Sequence, residues 1–289
     1  FGRNCQNPEQ LKRLTSALRE TMGWRCPILI DQEGGSVARL KPPQWQEFQP
    51  ARVYGDGLNS SGGEQSLTDD MSLLAQMLTD QGINVNCAPV CDVTTFETEK
   101  ILGSRTYALN PEIVSRCASL TAESFIKNGV TPVIKHLPGH GRAGADSHHH
   151  LPHVVTGRED LITHDFTPFK SIAQSPISQK CWGMVAHIIY EAYDRTTPAT
   201  LSSTIIHDVI RREIGFDGLL LSDDLDMKAL ESYGSIADRA NLCLQAGCDV
   251  ALYCWADIKV MEVMAATLPP LSAKAWTRWQ KSLLPPDNR

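Results

Sequence analysis

The sequence holds no apolar run approaching the roughly 18 residues of a membrane span, so a membrane-spanning helix is not expected. It has no block of like charges that would act as a tail. Basic residues are the minority, 27 against 33 acidic ones, for a formal net charge of -6. Phosphate recognition needs a basic face, so the balance argues against nucleic acid as a partner. No Gly-rich dinucleotide fingerprint follows any strand-like run, which lowers a doubly wound cofactor-binding sheet. No secretory or transit signal is visible, and the nine scattered cysteines match no zinc-knuckle or redox spacing. Cys26, Cys87, Cys181 and Cys248 sit in or beside apolar runs and read as small buried hydrophobes. A reducing cytoplasm is the expected setting.

What is present is the pattern of one globular catalytic domain over residues 1–289. Hydrophobic residues make up 42% and charged residues 21%, enough to bury a large core without staples. Short apolar runs at residues 26–30 (CPILI), 83–88 (INVNCA), 130–134 (VTPVI), 182–186 (WGMVA), 218–221 (GLLL) and 249–253 (DVALY) read as buried strands. Amphipathic stretches at 9–22, 65–81, 111–128, 203–214 and 236–246 read as the helices between them. Asn110 before Pro111 is a start signal, and Gly129 a stop. Alternating strands and helices predict an α/β fold built as a TIM-like (β/α)8 barrel. Only six strands are visible, so one is expected ahead of Phe1 and another to be cryptic.

Polar residues fall at one place in this pattern. Asp31, Asp92, Lys135, His136, His187 and Asp223 each follow an apolar run, and in a parallel barrel those ends share the functional face. Residues 135–150 (KHLPGHGRAGADSHHH) are a glycine-punctuated loop. Within it Asp146 stands two residues from His148. Such a carboxylate fixes the imidazole tautomer and raises its basicity, which suits a proton donor and acceptor. Asp223, in Phe216–Met227 (FDGLLLSDDLDM), is placed as a nucleophile at a strand end. Helix capping by Ser222 and the Asp pair is the competing reading. The paired Gly34 and Gly35 after Asp31 suggest close approach of backbone to a ligand. Arg105 reads either as a group for a substrate oxygen or as a surface ion pair.

Three functions fit these residues. A glycosidase would use Asp223 as nucleophile, His148 as acid/base, and Asp31, Arg105, Lys135 and His136 for ring hydroxyls. A metal-dependent hydrolase would ligate zinc with His136, His187 and Asp223. A sugar-binding protein without chemistry would leave the Asp146/His148 pair without a role.

The motif order narrows the choice. IDQEGG at residues 30–35, APVCDV at 88–93, LGSRTY at 102–107, KHLPGHG at 135–141, DSH at 146–148 and SDDLDM at 222–227 together resemble the bacterial β-N-acetylhexosaminidases of glycoside hydrolase family 3, of the one-domain, cell-wall-recycling type. The resemblance spans nearly the whole chain. It implies a TIM-like barrel, a retaining mechanism with Asp223 as nucleophile and His148, oriented by Asp146, as acid/base, and sugar binding by Asp31, Arg39, Arg105, Lys135 and His136. The implied substrate is a small muropeptide or anhydro-disaccharide, GlcNAc linked to 1,6-anhydro-N-acetylmuramic acid with or without peptide. No cofactor or metal is implied. One departure is Ser36, where the family often carries a basic residue.

Overall fold

The structure is a computed structural model that describes residues 1–144 and 151–284. Its helices start where the side chains can replace missing backbone partners. The Asn7 side chain accepts from the Gln10 amide ahead of helix Pro8–Met22, which closes at Gly23 with a left-handed φ of 72°. Asn110 accepts from the amides of Glu112 and Ile113 and opens helix Pro111–Lys127, with Pro111 in the first turn where its missing N–H costs nothing. Ser235 and Asp238 form a reciprocal capping box for helix Ile236–Ala246. The expected helix at 203–214 is present as Ile205–Ile214, wound with i→i+5 hydrogen bonds. Helices Gly63–Asp80, Thr167–Ala173, Ile258–Thr267 and Ala273–Ser282 complete the main set. Neither of the last two is among the expected helices; in Ile258–Thr267 most apolar residues are exposed rather than gathered on one buried stripe.

Among the described residues seven strands form: β1 (Leu29–Ile30), β2 (Val85–Asn86), β3 (Thr131–Leu137), β4 (His153–Val154), β5 (Trp182–Val185), β6 (Ile189–Tyr190) and β7 (Leu219–Ser222). The main sheet is parallel, in the order β1-β2-β3-β5-β7, and β4 pairs with β6 in a separate two-stranded sheet. Side chains alternate across each strand. Val85, Cys87, Val133, Trp182, Met184, Leu219 and Leu221 therefore gather on the inner face. Ile134, Val185 and Leu220 turn outward to the larger core beneath the helices. Each such fully buried side chain contributes about 1.5–3 kcal/mol, so both faces hold the sheet.

The sheet is a curled half-barrel and not a closed eight-stranded barrel among the described residues. The predicted strand at 249–253 is reduced to a single parallel bridge, Leu221 to Val250. Beside it the Leu252 amide donates to the Ser222 hydroxyl instead of to a ladder carbonyl. At the other end, β1 keeps only two of its five predicted residues. Pro27 has no N–H to give a ladder, and the Asn84 and Asn86 side chains take over from there, accepting from the amides of Ile28 and Gln32. Among the described residues nothing pairs with the outer edge of β1. No helix there is long and apolar enough to cross a membrane.

Candidate active site

A pocket of about 430 Å³ opens at the C-terminal edge of the sheet. Asp31 enters from the end of β1, Cys87 from the end of β2, Lys135 and His136 from β3, and Asp223 from the end of β7. Arg39 and Arg105 reach it from the connecting segments. The structure thus unites six of the eight candidate residues. Asp146 and His148 lie outside the described residues.

Lys135 and His136 correct one expectation. They stand inside β3, not after it. Backbone pairing continues past Ile134, because Lys135 donates to Pro89 O at 3.2 Å and accepts from the Cys91 amide at 2.7 Å, with a register shift before Leu137. A charge in a run of buried residues reads as a strand end. Here the charge is paired, and a paired charge can stay in a strand.

The pairing is done by the IDQEGG segment, whose polar residues have separate jobs. Gln32, buried, folds the loop back on itself: its carbonyl accepts from the amides of Arg39 and Leu40, and its amide donates to Leu40 O. Glu33 takes a bidentate contact from Arg105 at 2.8 and 2.9 Å and a third from Lys135 Nζ at 2.7 Å. Asp31 meets Arg39 at 3.1 Å and Lys135 at 3.4 Å. Gly34 and Gly35, at φ 100° and 56°, let the loop pass against its own chain. A Cβ would lie 2.5 Å from Gln49 O at the first and 2.6 Å from the Pro50 Cβ at the second. In the structure the close approach is to the protein's own residues 49 and 50.

Burial would push the Asp31 and Glu33 carboxyls up and the Lys135 ammonium down. For Asp31 the charges of Lys135 and Arg39 win, for Glu33 those of Lys135 and Arg105, so both carboxyls are held below the usual range. Lys135 is raised for the same reason, with Glu33 its larger partner. Asp31, Glu33, Lys135 and Arg105 are therefore ionised at neutral pH. Sequence reasoning missed Glu33. The signal was charge balance: three cations assigned to one pocket with a single neighbouring carboxylate require another, and Glu33 is two residues from Asp31. The ion pair that Arg105 makes is not at the surface but inside the pocket, with a buried partner.

His136 is held from behind. Its Nδ1 lies 2.7 Å from Asp92 Oδ2, while Asp92 Oδ1 accepts from the amides of His136 and His140 at 3.1 and 2.7 Å. Burial raises the Asp92 carboxyl, but the His136 and His140 contacts bring it down to about 2. An ionised Asp92 fixes the proton on Nδ1 and leaves Nε2 for the pocket. Asp92 thus supports the site and does not line it.

His140 titrates the other way. Burial first, then the neighbouring His136, lowers it from 6.5 to about 4. The folded protein refuses a proton that the unfolded chain accepts near pH 6.5. This stability is present above about pH 6.5 and is lost as pH falls towards 4, up to about 3 kcal/mol in all. Urea titrations between about pH 7 and 4.5 are expected to show that decline in wild type and a flatter profile in His140→Gln. Equal slopes in the two proteins would refute it.

Asp223 is placed by the end of β7. Its amide donates to Val185 O at 3.1 Å, and its Oδ1 accepts from the Asp224 amide at 2.8 Å. Burial pushes its carboxyl up, but His136, His187, the Asp224 amide and Lys135 outweigh that and hold it below the ordinary range. The capping reading fails here. The following helical turn, Lys228–Tyr233, has Met227 at its cap position and no side-chain cap bond. Asp224 instead braces a loop, accepting from the amides of Asp226 and Cys254, both at 3.2 Å.

His187 is fully buried and does not line the pocket. Its Nδ1 meets the Thr200 hydroxyl at 2.7 Å and its Nε2 the Asp224 carbonyl at 3.0 Å. Both ring nitrogens are engaged, and one nitrogen of His136 belongs to Asp92. The arrangement does not present His136, His187 and Asp223 as a zinc triad. Among the described residues no group of three His, Cys, Asp or Glu side chains is disposed to hold a metal.

The pocket thus sets Asp223 at the C-terminal edge of a parallel sheet, opposite a rim of paired charges. The chain belongs to glycosyl hydrolase family 3, whose N-terminal domain matches residues 1–274. It is 34% identical over 263 residues to a beta-hexosaminidase of Nitrosomonas eutropha, covering 88% of this chain and 72% of that one. With a beta-hexosaminidase of Chromobacterium violaceum it shares 31% over 301 residues, 99% of this chain and 83% of that one. The native structure of NagZ from Neisseria gonorrhoeae superposes with a TM-score of 0.88 at 31% identity, covering 98% of this chain and 81% of that one. A family 3 beta-N-acetylglucosaminidase from a Paenibacillus species gives 0.86 at 30% identity, covering 98% and 54%.

Proposed function

We propose that this chain is a retaining β-N-acetylglucosaminidase that removes terminal GlcNAc from GlcNAc-1,6-anhydro-N-acetylmuramic acid, with or without stem peptide, in cytoplasmic peptidoglycan recycling. Residues 1–289 act as one catalytic domain. Asp223 attacks the anomeric carbon as its bond to the leaving oxygen breaks, forming a covalent glycosyl-enzyme. His148, oriented by Asp146, gives its proton to that oxygen and then takes one from the water that releases the sugar. Asp31, Arg39, Arg105, Lys135 and His136 hold the ring substituents.

The observation that carries this reading is the state of the pocket's carboxylates. Most retaining glycosidases pair an ionised nucleophile with a neutral carboxylic acid. Asp223 is ionised, and Asp31 and Glu33 are locked to cations, so neither holds a proton near neutral pH. An imidazole supplies the acid that they do not. Asp224 lines the pocket too, and burial raises its carboxyl. Its Oδ1 is committed to two backbone amides, which favours a bracing role.

The test is hydrolysis of p-nitrophenyl N-acetyl-β-glucosaminide with and without chelator, with the product anomer followed by NMR. The expected result is chelator-independent turnover with the β-anomer released first. Activity lost to chelator and restored by zinc would favour the metal hydrolase instead.

A further inference from the structure

Asp223 follows β7 at a bend, and the residue after it is held on both of its backbone groups. The Asp223 amide donates to Val185 O at 3.1 Å. The Asp224 amide donates to Asp223 Oδ1 at 2.8 Å, and the Asp224 carbonyl accepts from the Met227 amide at 3.1 Å. That carbonyl also lies 3.0 Å from Nε2 of His187, a side chain 37 positions away that stands just past the end of β5. An imidazole outside the pocket thus reaches the backbone directly after the pocket's carboxylate.

A carbonyl oxygen only accepts, so Nε2 carries the hydrogen of that contact. Nδ1 meets the Thr200 hydroxyl at 2.7 Å. A hydroxyl can donate or accept, so Thr200 pairs with Nδ1 whether the ring is neutral or charged. Thr200 is fixed in turn, its hydroxyl 2.7 Å from Ala186 O and 3.2 Å from Val185 O. Val185 O is the acceptor of the Asp223 amide as well. The ring is therefore spanned between the end of β5 and the bend after β7, the two backbones that meet at Asp223. His187, Thr200, Val185 and Ala186 are all buried. A polar ring in such a place costs stability unless its bonds are made, and an apolar ring would fill the same space. What the imidazole adds over an apolar ring is the donor aimed at residue 224.

We propose that His187 is a positioning residue for the nucleophile: its Nε2–H holds the Asp224 carbonyl, and through residue 224 it aims the Asp223 carboxylate. The link is the Asp224 amide, which tethers Oδ1. A rotation of residue 224 would carry that oxygen with it and turn the other away from the sugar. This inference rests on the glycosidase reading of the pocket. The effect should fall on kcat, because Asp31, Arg39, Arg105 and Lys135, which hold the ring substituents in that reading, come from elements other than β5 and β7. His187 also helps to hold the Asp223 carboxyl below its ordinary range. The other groups facing that carboxyl are His136 and Lys135 from β3, Arg105, the adjoining Asp224 and the thiols of Cys87 and Cys254, which burial keeps neutral. Removing His187 leaves all of these in place, so the Asp223 carboxyl should rise and the acid limb of kcat/KM should move to higher pH.

The test uses the whole chain and p-nitrophenyl N-acetyl-β-glucosaminide. His187→Phe keeps a ring and removes the donor. Its kcat is expected to fall about 10²-fold, with KM within about twofold of wild type and the acid limb raised. His187→Gln, whose amide nitrogen can donate to the same carbonyl, should restore most of kcat. If His187→Phe does not fold, Thr200→Val tests the same brace by releasing Nδ1, with a smaller fall in kcat at unchanged KM. A donor-free variant with wild-type kcat, a loss confined to KM, or a His187→Gln protein as slow as His187→Phe would overturn the proposal. A wild-type protein inactive on this glycoside would instead overturn the glycosidase reading, and the positioning role with it.

Discussion

Asp223→Ala is expected to lose at least about 10⁴-fold in kcat on any N-acetylglucosaminide, because it removes the group that forms the covalent bond. The loss should not come from unfolding. The backbone contacts that place residue 223 are its amide to Val185 O and the Ser222 amide to Val250 O, and neither uses the side chain. The side chain gives up one bond, from the Asp224 amide. Asp223→Asn should be as inactive while keeping the shape. The pH profile carries the same signature. Asp223 sits below the ordinary carboxylate range, so it stays ionised from neutral pH down through that range. The acid side of kcat/KM should therefore hold until pH falls below about 4. A variant at residue 223 that retains more than a few per cent of wild-type turnover would remove this residue from the mechanism.

His148→Ala should divide substrates by their leaving groups. On the natural disaccharide, whose leaving oxygen needs a proton, the expected loss is about 10³-fold. On an aryl glycoside with a good leaving group, bond cleavage should change little, while release of the sugar slows. A burst of phenol followed by a slow steady state would be the visible result. In wild type the imidazole must be protonated for the first step, so rates should fall on the alkaline side as that proton is lost. Rates that hold level well above about pH 8, or a His148→Ala enzyme unimpaired on the disaccharide, would refute the role. Asp224→Asn is the control, since it alters the pocket carboxyl whose pKa is raised and should leave the leaving-group dependence unchanged.

The helices with clear caps were readable because capping is local. Asn110 and Pro111 determine the start of their helix within three residues of sequence. Strand positions were readable from apolar runs, but their lengths were not. The run at 26–30 yields two paired residues and that at 130–134 extends to seven, since length depends on which amides find partners across the sheet. The site was legible as a set of polar residues at strand ends. Their division of labour was not: Asp92, His187 and Asp223 occupy equivalent places in the sequence pattern, yet only Asp223 lines the pocket.

By itself the sequence determined the alternation of buried strands and capped helices, the gathering of polar groups at one sheet edge, and the motif order shared with family 3. Those follow from hydrophobic periodicity and near-neighbour chemistry. Only the tertiary structure decided that Lys135 is a buried cation neutralised by Glu33 and Asp31, and that His136 leans on Asp92. Each of those facts joins residues at least 44 positions apart. Charge pairing and burial act through space, and the distances that govern them exist only once the sheet has curled.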